Sequence, residues 1–108
     1  PPLVLKVLDY LYSHYQESQS LDSLAAQFFV SKATILYNFQ RYLHTSPMDF
    51  LLNLRLEKAK EALETTNKSV CQIAEECGFR SANYFSLIFK RKEQLSPLHY
   101  RKHQRAKG

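Results

Sequence analysis

The sequence predicts an all-α chain: seven helices, forming two helix-turn-helix subdomains joined by a long linker helix. Three observations predict it. Glycine is nearly absent, with Gly78 and Gly108 the only two, and apolar residues recur at helical rather than alternating spacing. Serines, twice followed by proline, stand where helix starts are needed. The two halves of the chain repeat at a fixed period.

The elements follow in order. Leu3, Val4, Val7, Leu8, Leu11, Tyr12 and Tyr15 form one stripe, so a first helix covers about residues 3–16. Ser20 caps a short second helix with Leu21, Leu24, Ala25 and Phe28 facing inward, and Ser31 caps a third that runs to about Leu43. Ser46-Pro47 opens the linker helix, which runs to about Thr65 with Phe50, Leu51, Leu54, Leu56, Ala59 and Leu63 mostly on its buried side. Ser69 caps a fifth helix that Gly78 stops, Ser81 a sixth to about Lys92, and Ser96-Pro97 opens a short seventh. The subdomains are then residues 1–46 and 66–108, with 47–65 between them.

The repeat is specific. Ser31 and Ser81 are 50 residues apart, as are Phe39 and Phe89, Ser46-Pro47 and Ser96-Pro97, and Phe50 and Tyr100. Leu24-Ala25 maps onto Ile73-Ala74 at 49, so the second copy has one residue inserted in its turn. The candidate core is Leu24, Ala25, Phe28, Val30, Ile35 and Phe39 in the first copy, and Ile73, Ala74, Cys77, Phe79, Phe85, Ile88 and Phe89 in the second.

Bulk properties narrow the class. At 108 residues and 44% apolar, the chain can bury a core, and no run approaches the roughly 18–20 apolar residues of a membrane span. Lys6 and Asp9 interrupt the N-terminal apolar positions, which speaks against a signal peptide and for a cytoplasmic protein. The start at Pro1-Pro2 reads as a fragment with more chain upstream, or as a trimmed natural start. The net charge of +5 is uneven. Residues 1–54 hold three Lys/Arg against four Asp/Glu, and residues 55–108 hold twelve against six. A basic second half suggests a polyanionic partner.

A short helix, a tight turn and a longer helix make a unit that presents its second helix to a DNA major groove. The core stripe leaves one face of that helix open. In the first copy the open face is Ala33, Leu36, Tyr37 and Gln40; in the second it is Ala82, Asn83, Ser86, Leu87 and Lys90. Asn83 suits bidentate reading of adenine, Ser86 suits either base of a pair, and Ala33, Leu36, Tyr37 and Leu87 suit thymine methyl groups. The capped starts at Ser31 and Ser81, with Lys32, Gln40, Arg41, Lys90, Arg91 and Lys92, suit backbone phosphates. A linker of about 18 residues makes a rod of about 27 Å, fit to place two recognition helices in successive major grooves on one face of a duplex.

These residues carry a family resemblance. SVCQIAEECGFRSANYFSLIFKRKEQLSPLHYRK at 69–102 resembles the signature of the AraC/XylS transcription regulators, through Val70, Ile73-Ala74, Gly78-Phe79, Phe85, Phe89-Lys90, Ser96-Pro97 and Tyr100-Arg101. Residues 20–65, with LRLEKAKEAL at 54–63, resemble the first half of the same domain. The resemblance implies a seven-helix, bilobal domain that binds double-stranded promoter DNA in the cytoplasm, associated with the nucleoid when bound. It also implies, in most members, a separate sensor or dimerisation domain, usually upstream; RNA polymerase is a candidate further partner. The resemblance marks Ala33, Leu36, Tyr37, Ala82, Asn83, Ser86 and Leu87 as base-facing. The chain departs from the family by lacking a strong donor at Tyr37 and Leu87, by carrying Phe29 where a small residue is commoner, and by carrying Asn38 where an apolar one is. Glu93-Gln94 replaces a glycine-containing turn, which implies that regular helix continues there.

Other chemistry is weakly signalled. Cys71 and Cys77 are six apart on a helix, about 240° around its axis, so they do not bridge, and reduced thiols fit. No histidine stands near either in sequence to activate a nucleophile. His99 and His103 have the i, i+4 spacing of a metal pair but no third ligand beside them. The reading is therefore a non-enzyme without cofactor or metal. The competing reading is a protein-interaction module that uses the apolar Phe29, Leu36 and Tyr37 to meet polymerase or a partner domain.

Overall fold

A computed structural model describes residues 1–108. Seven helices follow in order: α1 (Pro2–His14), α2 (Leu21–Gln27), α3 (Lys32–Leu43), α4 (Pro47–Thr65), α5 (Val70–Glu76), α6 (Ala82–Glu93) and α7 (Pro97–Lys107). The chain divides into two compact units, Pro1–Leu54 and Arg55–Gly108, and the division falls inside α4.

Each unit is built from the same parts. In the first, Val7 and Leu11 of α1, Leu24 of α2, Ile35 and Phe39 of α3, and Leu51 and Leu54 of α4 form one buried cluster. In the second, Leu56, Ala59 and Leu63 of α4, Ile73 and Ala74 of α5, Phe85, Ile88 and Phe89 of α6, and Tyr100 of α7 are buried. The spacing of Val4, Val7 and Leu11 recurs in Leu56, Ala59 and Leu63. The edge-on pair Phe39–Phe50 (6.4 Å) recurs as Phe89–Tyr100 (5.3 Å). Helix α4 thus acts twice: its first turns close the first unit as α7 closes the second, and its remainder opens the second unit as α1 opens the first.

Serine caps set the helix starts. Ser20 accepts a hydrogen bond from the Ser23 N–H at 3.0 Å while the Ser23 hydroxyl accepts from the Ser20 N–H, closing a reciprocal box. The hydroxyls of Ser31, Ser46, Ser69, Ser81 and Ser96 accept from the N–H groups of Thr34, Asp49, Gln72, Tyr84 and His99 at 3.0–3.2 Å. Each satisfies a donor the helix cannot satisfy itself, and each contributes about 1 kcal/mol.

The turn inside each helix-turn-helix is the same in both copies. Phe28 N–H donates to Leu24 C=O, Phe29 N–H to Ala26 C=O, and Val30 N–H to Ala25 C=O. Forty-nine residues on, Cys77, Gly78 and Phe79 donate to Ile73, Glu75 and Ala74. The middle residue must take a left-handed backbone: Gly78 has φ 93° and Phe29 has φ 56°. Glycine adopts that conformation freely, whereas phenylalanine pays about 1–2 kcal/mol in steric strain. Phe29 recovers little by packing, since it is 95% exposed. The inserted residue of the second copy is Arg80, between Phe79 and the Ser81 cap, and its guanidinium lies 4.2 Å from the Tyr84 ring centroid.

The structure departs from the sequence expectations in four places. Helix α1 ends at His14 rather than about residue 16, with Tyr15 as its cap residue. Tyr12 lies at the edge of the apolar stripe, 54% exposed, and meets only the rim of Phe50 at 6.0 Å. Helix continuation at Glu93-Gln94 is not observed: Gln94 is left-handed (φ 67°), its N–H donates to Lys90 C=O, and it terminates α6 without glycine. His44 does the same for α3. Helix α7 is also longer than expected, at 11 residues.

The length of α7 has a cause. Its Arg101 donates from Nε to Leu63 C=O (3.0 Å) and from Nη2 to the carbonyls of Thr66 (3.2 Å) and Lys68 (2.7 Å). Arg105 donates to Asn67 Oδ1 and Thr66 C=O. Two guanidinium groups therefore occupy carbonyls at the C-terminal end of α4, where a cation is also favoured by the helix dipole. Tyr100 donates its hydroxyl to Glu64 at 2.6 Å, and burial first, then that carboxylate, push its pKa upward.

Two stability predictions result. Phe29→Gly raises the unfolding free energy by about 0.5–1 kcal/mol in urea titration, whereas Gly78→Ala lowers it by about 1–2 kcal/mol. Arg101→Leu strands the Leu63 and Lys68 carbonyls and lowers it by about 2 kcal/mol, and Arg101→Lys recovers less than half of that loss because it lacks the fork.

Candidate nucleic-acid interface

Helices α3 and α6 are held by their buried stripes, Ile35/Phe39 and Phe85/Ile88/Phe89. The residues between those stripes project away from the cores. On α3, Ala33, Leu36 (38%), Tyr37 (62%) and Gln40 are exposed. On α6, Asn83 and Leu87 (58%) are exposed, and Ala82 and Ser86 are half-buried. Of the seven residues expected to face bases, five are exposed and two, Ala82 and Ser86, are half-buried.

The faces differ in how their polar groups are engaged. On α3, Lys32 pairs with Asp22 at 3.0 Å, the Thr34 hydroxyl with that of Ser31 at 2.9 Å, and the Asn38 amide donates to Thr34 C=O at 2.8 Å. Arg41 lies 5.5 Å from the Tyr42 ring centroid, and the Tyr42 hydroxyl foremost, then Tyr37, hold its pKa above that of ordinary arginine. Asn38 stands at the position of Ile88, which is buried in the second unit. Its amide turns back onto its own helix and leaves the first core one apolar side chain smaller.

On α6, the three basic residues Lys90, Arg91 and Lys92 occupy the last turn, exposed. They lie outside the ion pairs of the second unit, which join Lys60 to Glu57 and Glu93 at 3.2 Å and Lys68 to Glu76 at 2.6 Å. Burial alone pulls the Lys60 ammonium down, but Glu57 and Glu93 outweigh it and leave its pKa raised. Of the phosphate candidates, Ser31 and Ser81 use their hydroxyls as caps, so any anion there meets backbone N–H groups. Lys32 is held in a solvated pair, and such pairs break at little cost.

Sequence reasoning missed Arg80. It stands in the turn just before the α6 cap and is exposed, with its guanidinium over Tyr84. The offset change from 49 to 50 was its signal, but the repeat marks only that a residue is inserted, not where its side chain goes.

Comparison with known proteins gives consistent results. Residues 24–103 match the family described as "Helix-turn-helix domain". The transcriptional activator RhaS of Enterobacter sp. (strain 638) is 34% identical over 92 residues, 85% of this chain and 33% of that protein. The DNA-binding domain of AdpA, solved in complex with a target DNA, superposes with a TM-score of 0.91 at 32% identity, covering 98% of this chain and 95% of that one. A transcriptional regulator from Chromobacterium violaceum, described as an AraC-type DNA-binding domain-containing protein, gives 0.86 at 30%, covering 95% and 92%. The chain spans 24–34% of the length of the curated relatives it matches.

The thiols and histidines stand apart from the two faces. His99 and His103 are exposed on α7, and no group of three or more His, Cys, Asp or Glu side chains gathers to hold a metal. Cys71 is exposed and Cys77 buried, and burial first, then Glu76, push the Cys77 thiol up to about 11. The thiolate form of Cys77 is therefore scarce near neutral pH. A disulfide reagent at pH 8 labels one thiol per native chain quickly and the second only on unfolding, and Cys71→Ser removes the fast phase.

Proposed function

The chain belongs to the helix-turn-helix family of AraC-type transcription regulators, and from that premise we propose that it binds double-stranded DNA sequence-specifically, with α3 and α6 each entering a major groove. The observation that carries the reading is the pair of capped helices, 50 residues apart, each with an open face, and the second ending in Lys90-Arg91-Lys92. AdpA, bound to its target DNA in the matching structure, supports it.

In this reading residues 1–46 and 66–108 each supply one recognition helix, and 47–65 link them. Helix α4 is 19 residues of unbroken helix, a rod of about 28 Å. Ala82, Asn83, Ser86 and Leu87 meet bases from α6, and Ala33, Leu36 and Tyr37 from α3. Lys90, Arg91 and Lys92 take phosphates, joined by Arg80, Lys32, Gln40, Arg41 and the N–H groups behind Ser31 and Ser81. The protein works in the cytoplasm, at the nucleoid when bound. A sensor or dimerisation domain beside it and contact with RNA polymerase belong to the same proposal, and RhaS, named a transcriptional activator, supports a role in activation. Binding and release of DNA need no catalytic group or cofactor.

A second reading has its own observation. Phe29 is strained and exposed, and Leu36 and Tyr37 are exposed nearby in sequence, so the first unit has apolar surface suited to a protein. A Leu36→Asp/Tyr37→Ala chain that keeps full DNA affinity while transcription fails favours that reading.

The test is selection of duplexes from a random pool at about 150 mM salt, followed by gel-shift titration. One sequence is enriched over competitor. Asn83→Ala relaxes preference at one base pair by about 1–3 kcal/mol. Lys90→Ala weakens all sequences alike and reduces the slope of log K against log salt by about 0.9. Uniform loss in Asn83→Ala removes that residue from base reading, and no enrichment at all removes the proposal.

A further inference from the structure

We propose that the first unit reads its half-site through thymine 5-methyl groups, met by the carbon of Ala33, Leu36 and the Tyr37 ring. The proposal rests on the reading that α3 enters a major groove, and it specifies what α3 recognises there.

The two recognition helices are related residue by residue at a spacing of 50. Where α6 has Asn83, Ser86 and Leu87, α3 has Ala33, Leu36 and Tyr37. Both hydrogen-bonding side chains of the α6 face are replaced by alkyl groups. Among the other polar side chains in the first two turns of α3, Thr34 meets Ser31 and Asn38 donates to Thr34 C=O, while Lys32 can leave its solvated pair with Asp22 for a phosphate. Tyr37 is 62% exposed, so its ring is open to a partner. Gln40 is exposed but lies in the last turn, whereas base edges are met chiefly by the N-terminal part of a recognition helix.

Ala33 and Leu36 present only carbon, which cannot tell guanine from adenine by hydrogen bonding. The major groove offers such a face one apolar feature, the thymine 5-methyl group. The same methyl group is carried by 5-methylcytosine, so the first unit accepts 5-methylcytosine in place of thymine better than it accepts cytosine.

The test starts from a duplex selected by the intact chain. Each thymine is replaced singly by deoxyuridine, which removes only the methyl group, and affinity is measured by gel shift. Within one half of the site, each methyl read costs about fourfold in affinity when removed. Replacing such a thymine by cytosine weakens binding, and 5-methylcytosine restores about fourfold of it. Leu36 is exposed, so Leu36→Ala keeps the fold; it binds the thymine site less tightly and no longer distinguishes thymine from deoxyuridine at one position. If a selected site is bound equally well with deoxyuridine at every thymine, the methyl proposal is overturned while DNA binding stands. Deoxyuridine sensitivity that is unchanged in both Leu36→Ala and Tyr37→Ala also overturns it, as does full DNA affinity in Leu36→Asp, which points to a protein partner. If no sequence is selected, the DNA reading itself fails.

Discussion

The direction in which each recognition helix leaves its partner depends on one left-handed residue. Three backbone hydrogen bonds from consecutive N–H groups close the end of α2 and of α5, and they form only if the middle residue has positive φ. That residue reverses the chain in a single step, so the cap serine and the helix behind it start at a defined place. Everything on the open faces of α3 and α6 inherits its position from this turn. The second copy meets the constraint with Gly78 at no steric cost. The first meets it with Phe29, a strained and exposed side chain that the turn itself does not need.

The charge of the second half has two uses. Its excess of cations suggested a polyanion partner, but several of them hold the unit together. Arg101 and Arg105 occupy carbonyls at the end of α4, and Lys60 and Lys68 are in ion pairs. The cations of the last turn of α6, together with Arg80, stand outside those pairs. Local placement, not the sum, therefore makes the case for a phosphate contact.

The two copies share a scaffold and differ in chemistry. Their caps, turns and left-handed terminators correspond residue by residue, through His44 and Gln94 as well as Phe29 and Gly78. Backbone geometry is reproduced because each bond answers a donor or acceptor that has no other partner. The open faces are under no such constraint. They diverge from Asn83 and Ser86 to Ala33 and Leu36, and Asn38 takes the place of the buried Ile88.

Much of the fold was legible in the residue order. Helical spacing, six serine caps and the 50-residue repeat located seven helices and nearly all of the second core, because these signals depend on neighbours within a turn or two. The open faces were legible for the same reason: once a buried stripe is placed, its opposite side follows from helix geometry. What only the structure decided were a local backbone state with no mark in the sequence and contacts between residues distant in sequence. Gln94 ends α6 in a left-handed conformation that no glycine announced. Arg101 reaches back more than thirty residues to carbonyls, which a sequence pattern does not display. Which polar groups on α3 are already engaged also depends on where Asp22 of another helix comes to rest. Periodicity reports which side of a helix is covered; it carries no record of which partner covers it, because that choice is made only when the helices pack.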